Sequence, residues 1–151
     1  MSETPPLIER AAAGDLDELL PLVRAYRVFY KQQPNEMRER DFVARHLRDG
    51  TSVIYVARTG GRAAGFTQLF KTYSTVHLAP AWILEDLFVD PGARRSGVAA
   101  ALLERALAHA RESGACGMFL ETAHDNVAAQ RVYKRAGWTR EGRFYKYNAP
   151  V

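Results

Sequence analysis

The segment spanning residues 82–110 constrains the fold more than any other part of the chain. A short apolar run, Ile83-Leu84-Glu85-Asp86-Leu87-Phe88-Val89, stops at the turn signal Asp90-Pro91-Gly92. It then passes through Arg94-Arg95-Ser96-Gly97-Val98-Ala99 into an alanine- and leucine-rich helix. A strand, a basic glycine-containing turn and a helix together suit a polyphosphate: the unpaired N–H groups and the positive dipole end of a helix start both face an anion. A small residue there lets the anion approach the main chain. The spacing is Arg-x-x-Gly-x-Ala. It matches neither Gly-x-Gly-x-x-Gly nor Gly-x-x-x-x-Gly-Lys-Ser/Thr, so the dinucleotide and P-loop readings lack their fingerprints.

The helix that follows carries Ala99, Leu102, Leu103, Ala106, Leu107 and Ala110 on one apolar face and ends near Ser113-Gly114, a C-cap signal. Upstream, residues 7–11 read as a short strand. Asp15 with Glu18 resembles a capping box, and Leu16, Leu19, Leu20 and Val23 fall at helical spacing; Pro21 within this helix predicts a bend or a late start. Residues 35–48 form a charged surface helix, with Met37, Phe42, Val43 and Leu47 as its apolar members and Gly50 as its stop.

Residues 52–58 and 63–71 are strands joined by the hairpin turn Thr59-Gly60-Gly61-Arg62. Gly65 marks a bulge or a close approach. Residues 72–80 are polar without periodicity, which predicts a mobile loop. Further strands are expected over 116–122, 138–141 and 144–148. A helix between the first two starts at Asn126, shows Ala129, Val132, Tyr133 and Ala136 on one face, and is closed by Gly137. The order β α α β β β α β α β β, with a parallel crossover around the long helix added to the hairpin strands, gives an α/β (α+β) chain with a mixed sheet.

With 47% hydrophobic residues in 151, the chain suits one domain, 1–151, with one site. No run of about 18 apolar residues occurs, and Met1-Ser2-Glu3-Thr4-Pro5-Pro6 has no basic-then-apolar signal pattern, so the expectation is a soluble cytoplasmic protein without a membrane partner. A single cysteine, Cys116, excludes an intramolecular disulfide and a cysteine-built zinc site. His46, His77, His109 and His124 lack ligand spacing, and no metal is expected. The formal charge of +4 is modest and dispersed. It fits a solvated basic surface that can also serve an anionic cofactor, rather than a nucleic-acid partner.

Two motifs occur in order, each behind a strand. The first is Arg94-Arg95-Ser96-Gly97-Val98-Ala99, which fits Gln/Arg-x-x-Gly-x-Gly/Ala. The second is Asn126-Val127-Ala128-Ala129-Gln130-Arg131-Val132-Tyr133-Lys134-Arg135-Ala136-Gly137-Trp138. Together they resemble the GCN5-related N-acetyltransferase (GNAT) superfamily over nearly the whole chain. The runs Leu84-Glu85-Asp86-Leu87-Phe88-Val89 and Tyr133-Lys134-Arg135 also look like the spermidine/spermine acetyltransferase branch.

The resemblance implies a mostly antiparallel central sheet with a splayed parallel pair and about four helices, acetyl-CoA as cosubstrate, and direct transfer of acetyl to a primary amine. It implies that the backbone of Leu87, Phe88 and Val89 binds the pantetheine arm at the splay, and that the N–H groups from Arg95 through Ser96, Gly97 and Val98 to Ala99 surround the pyrophosphate, with Arg94 adding charge. Asn126 caps its helix and is a candidate contact to the cofactor arm.

Acetyl transfer needs a polarised thioester, a neutral amine and a proton for the departing thiolate. Tyr133 is the candidate acid, since a phenol of pKa about 10 keeps its proton at neutral pH. Glu85 and Asp86 sit mid-strand, where carboxylates are unfavourable unless paired or facing a cleft, and period two sends them to opposite faces. Periodicity does not choose between them; the resemblance names Glu85 as base or water relay.

Residues 72–80 and the first two helices are expected to build the acceptor pocket, with Tyr26, Tyr30, Tyr73 and Trp82 as candidate walls. A homodimer through the strand 144–148 is a further expectation. The competing readings are a non-catalytic acyl-CoA-binding module on the same fold and a basic nucleic-acid-binding protein.

Overall fold

The computed structural model describes residues 4–151; Met1, Ser2 and Glu3, which open the stretch read for a targeting signal and the domain range 1–151, lie outside the described residues. These residues fall into two compact units, 4–121 and 122–151.

The first unit carries a five-stranded sheet in sequential order: β1 (Leu7–Arg10), β2 (Val53–Thr59), β3 (Arg62–Ser74), β4 (Ala79–Val89) and β5 (Met118–Phe119). The first three pairings are antiparallel and the last, β4 with β5, is parallel. Helices α1 (Leu16–Phe29) and α2 (Glu36–Asp49) cover one face, and α3 (Val98–Glu112) covers the other.

On the α1/α2 face, Ile54, Val56, Phe66 and Phe88 of the sheet meet Leu19, Leu20, Leu22 and Val43. Burying each such side chain contributes about 1.5–3 kcal/mol. On the α3 face, Leu102, Leu103 and Ala106 are fully buried. There the Tyr55 hydroxyl is hydrogen-bonded to His109 Nδ1 at 2.8 Å, and Trp82 Nε1 donates to Ser113 Oγ at 2.8 Å.

Local chemistry sets the element ends. Asn35 Oδ1 accepts from the Arg38 N–H at 3.1 Å to start α2, and Gly50, at φ 64°, ends it in the left-handed region. Gly60 and Gly61 both have positive φ, 57° and 80°, which the tight β2–β3 hairpin requires. Gly65 packs closely, as its sequence position suggests: a Cβ there would lie 2.7 Å from the Phe88 carbonyl oxygen.

Several expectations need correction. Asp15 and Glu18 do not form a capping box with each other. Asp15 Oδ2 accepts from the Ala12 N–H at 2.8 Å, and both carboxylates bind Arg58 of β2. Helix α1 begins at Leu16, ahead of Pro21, so the late start does not occur.

Residues 72–80 are not a loop throughout: 72–74 and 79–80 are strand, and only 75–78 form the connecting turn. The β3–β4 ladder extends to Tyr73↔Pro80 and Ser74↔Ala79, because cross-strand pairing continues where hydrophobic alternation has stopped. Strand β5 is only two residues long, paired as Trp82↔Met118 and Ile83↔Phe119.

The second unit contains α4 (Val127–Arg135), whose N-cap Asn126 accepts from the Ala129 N–H at 3.2 Å. The strands expected over 138–141 and 144–148 do not form. The Glu141 carboxylate folds back on Arg143, accepting from its backbone N–H at 2.7 Å and from its Nε at 3.0 Å, which makes a local turn around Gly142. A strand needs a ladder partner, and Phe144, Tyr145 and Tyr147 remain exposed.

Candidate active site

Strand β4 holds the two candidate carboxylates, Glu85 and Asp86, and a bulge decides which face each takes. Its register with β3 pairs Leu84 with Leu69 and Asp86 with Gln68, so Glu85 is the extra residue without a cross-strand partner. Before the bulge, Trp82 packs on His109 of α3, with ring centroids 4.7 Å apart. After it, Phe88 belongs to the α1/α2 core. Strict alternation would have kept residues 82, 84, 86 and 88 on one face. The inserted residue turns Asp86 and Phe88 to the face that Trp82 does not use.

That face holds a cavity of about 460 Å³, walled by α1, α2 and the sheet and lined by Tyr26, Phe42, Phe66, Gln68 and Asp86 among others. Glu85 does not line it and is exposed. The Gln68 amide Nε2 donates to Asp86 Oδ2 at 2.6 Å, and the Gln68 Oε1 accepts from the buried Ser52 hydroxyl at 2.8 Å.

Burial pushes the Asp86 carboxyl above the usual aspartate range and the neighbouring Glu85 charge adds to this, while hydrogen bonds from Gln68 and Tyr26 oppose it. The Tyr26 hydroxyl donates a long hydrogen bond, 3.4 Å, to the Glu85 carbonyl. Burial first, then the charge of Asp86 and the presence of Tyr30, raise Tyr26 well above the ordinary phenol range, so it stays protonated.

The cavity wall from α1 and α2 is held by a buried carboxylate. Glu39, 3% exposed, accepts from Arg24 Nε at 3.0 Å, Arg27 Nη1 at 2.6 Å and the Asn35 N–H at 3.2 Å. The hairpin 72–80, expected beside the acceptor pocket, contributes no lining residue, and neither does Trp82, which faces α3.

Leu87, Phe88 and Val89 occupy the end of β4. The parallel pairing with β5 ends at Ile83↔Phe119, so among the described residues no strand pairs with that edge of β4 beyond Ile83. Main-chain groups there are open to an extended ligand.

The strand leads through Pro91–Ala93, one turn of 3-10 helix, into the basic loop. Arg95 at φ 63° and Gly97 at φ 81° bracket Ser96 and turn the chain sharply into α3. Val98, 1% exposed, anchors the first turn in the core. The orphan N–H groups of a helix start are thereby fixed next to the open edge of β4. Arg94 Nε donates to the Val89 carbonyl at 3.1 Å with its guanidinium over the Phe88 ring, tying loop to strand. An open strand edge, a fixed helix start and two exposed arginines fit an extended pantetheine with a diphosphate.

In the second unit Tyr133 is half-buried on α4 beside Trp138, with ring centroids 6.3 Å apart, and Asn126 caps the same helix.

Sequence reasoning missed Gln68, Ser52 and Glu39. A glutamine in the apolar run Phe66-Thr67-Gln68-Leu69 was the available signal, because a polar side chain there needs a buried partner.

Comparison with known proteins agrees with this geometry. The model of the Acetyltransferase (GNAT) family matches residues 17–138. An uncharacterized N-acetyltransferase, YhfO of Bacillus subtilis (strain 168), is 36% identical over 146 residues, covering 95% of this chain and 98% of its own. The crystal structure of a probable acetyltransferase superposes with a TM-score of 0.91 at 38% identity, covering 96% of this chain and 97% of that one. An aminoglycoside N-acetyltransferase in complex with CoA shares the fold, with a TM-score of 0.81 at 19% identity and complete coverage of both chains. The chain belongs to the GNAT family and is an N-acetyltransferase whose acetyl donor is acetyl-CoA.

Proposed function

We propose that the chain, as one domain, passes acetyl directly from acetyl-CoA to a primary amine held in the cavity between α1, α2 and the sheet. The observation that carries this reading is the position of Asp86: it lines the cavity and lies on the strand whose far edge is open from residue 84 onward. One strand thus serves the donor with its main chain and the acceptor with a side chain.

Acetyl-CoA supplies the thioester carbonyl that the amine attacks. The chain supplies the rest. The main chain of Leu87, Phe88 and Val89 holds the extended arm. The loop and helix start from Arg94 and Arg95 through Ser96, Gly97, Val98 and Ala99 hold the diphosphate, with Asn126 a further contact. Asp86 draws the ammonium group into the cavity. Glu85, exposed on the bulge outside the cavity lining, accepts the proton the amine must lose through a water relay. Tyr133 gives a proton to the departing sulfur. A cytoplasmic location and a homodimer through residues 144–148 complete the proposal; the exposed Phe144, Tyr145 and Tyr147 support the latter.

The test is an amine panel with acetyl-CoA, reading free CoA thiol and the acetylated amine by mass. Amine-dependent thiol release supports the proposal. Tight acetyl-CoA binding without turnover on any amine supports the non-catalytic module.

A further inference from the structure

Helix α2 presents Arg38, Asp41, Phe42 and Arg45 to the cavity at positions i, i+3, i+4 and i+7, a single helix face. Arg38 and Arg45 lie two turns apart, about 10.5 Å along the axis. Arg27, also on the cavity wall, is committed to Glu39 and to the Gln33 carbonyl. Arg38 and Arg45 are different. Both are exposed at the mouth, and among the described residues neither has a carboxylate within ion-pair distance. Asp41 is the one exposed carboxylate on that face, so the mouth carries a net positive charge.

The inner end has the opposite character. There the Asp86 carboxylate, held by Gln68 through Oδ2 and hydrogen-bonded by Tyr26, presents a negative charge to the cavity. Between the two ends the walls are apolar, from Leu19, Val23, Phe42, Ile54 and Phe66.

We infer that the acceptor is an ω-amino acid, its amine and carboxylate separated by an apolar methylene chain: its ammonium group at Asp86, its chain along the apolar wall, and its carboxylate at Arg38 and Arg45. The inference rests on the reading of this cavity as the acceptor site and names the substrate class that fits it. A polyamine or an aminoglycoside would bring further ammonium groups against two guanidinium groups that outnumber the one carboxylate on their face, and like charges repel. A simple alkylamine would leave both arginines without a partner.

The test uses initial rates of thiol release with acetyl-CoA and four matched probes, 5-aminopentanoate and 6-aminohexanoate, each beside its carboxamide, together with spermidine and kanamycin. Each acid and its amide share the methylene chain and differ in the carboxylate. Comparing their kcat/KM ratio between wild type and variants cancels the different basicity of the two amines. The wild-type protein should acetylate the amino acids in preference to spermidine and kanamycin. Arg38→Ala with Arg45→Ala should lower the acid-to-amide ratio at least tenfold, chiefly through KM for the acid, and Arg45→Lys should retain most of it. An unchanged ratio in the double variant, or a wild-type preference for spermidine or kanamycin, overturns the amino-acid inference and leaves amine acetylation standing. Thiol release no faster with any probe than without one overturns both.

Discussion

Gln68 and Asp86 face each other across β3 and β4, and the Gln68 amide holds the Asp86 carboxylate at 2.6 Å while the Ser52 hydroxyl fixes the amide from behind. This bond favours the charged carboxylate against burial, which raises its pKa. Removing the amide donor in Gln68→Leu raises Asp86 further, since one of the two opposing hydrogen bonds is lost. With Asp86 binding the ammonium in its charged form, the acidic limb of the kcat/KM profile should therefore move to higher pH in this variant. An unmoved limb separates Asp86 from amine binding.

The two adjacent carboxylates are distinguished by the same profile. Asp86→Asn should raise KM for the amine most and abolish the limb assigned to Asp86. Glu85→Gln should lower kcat while KM changes little. If Glu85→Gln behaves as wild type at every pH, proton acceptance belongs elsewhere.

Tyr133→Phe keeps the ring and removes the proton. A lost general acid lowers kcat by about 10²-fold or more, with the acetyl-CoA dissociation constant within a factor of two or so of wild type by calorimetry. Wild-type turnover in this variant removes Tyr133 from the chemistry.

The α1–α2 wall depends on Glu39. Its side chain is 1% exposed and holds two guanidinium groups and a backbone N–H. Burial raises its pKa, but the Asn35 N–H, Arg27 and Arg24 outweigh that, and the net value is lowered from 4.5. A depressed carboxylate contributes stability that is present above its unfolded value and lost as pH falls through the folded one. Denaturant titrations should show this contribution declining below about pH 4.5 in wild type, and Glu39→Gln should lack that decline. At neutral pH Glu39→Ala should cost about 3 kcal/mol, the range for breaking a buried pair. A loss below about 0.5 kcal/mol contradicts the role.

Gly65 ties the sheet to the donor side. The added methyl of Gly65→Ala would meet the Phe88 carbonyl at 2.7 Å and the Val98 side chain at 3.2 Å. Overpacking of this kind costs about 1–3 kcal/mol. Because Phe88 and Val98 both belong to the proposed donor site, weaker acetyl-CoA binding should accompany the lower Tm.

The sequence made the fold legible where local chemistry is self-sufficient. Asn35 and Gly50 bound α2, the Gly60-Gly61 turn set the hairpin, and Arg94 to Ala99 marked the start of α3. It failed where a partner strand decides the outcome. The β3–β4 hairpin runs on through the polar residues 72–80, and residues 138–148, although rich in aromatics, form no ladder.

In the site, the residue types were visible but their faces were not. Period two separates Glu85 from Asp86 yet assigns neither to a layer. The single-residue bulge at Glu85, which nothing in the apolar run announces, places Asp86 in the cavity. Arg38 and Arg45 read as ordinary solvated charge on a surface helix, because their lack of partners is a property of the folded arrangement.

The central claim is direct acetyl transfer to an amine bound beside Asp86. Its most direct test is the rate of CoA thiol release from acetyl-CoA with and without an amine panel, with products weighed by mass spectrometry. Thiol release should depend on the amine, give a product heavier by one acetyl group, and fall at least tenfold in Asp86→Asn. Acetyl-CoA that binds but yields neither thiol nor acetylated amine, or turnover indifferent to Asp86→Asn, contradicts it.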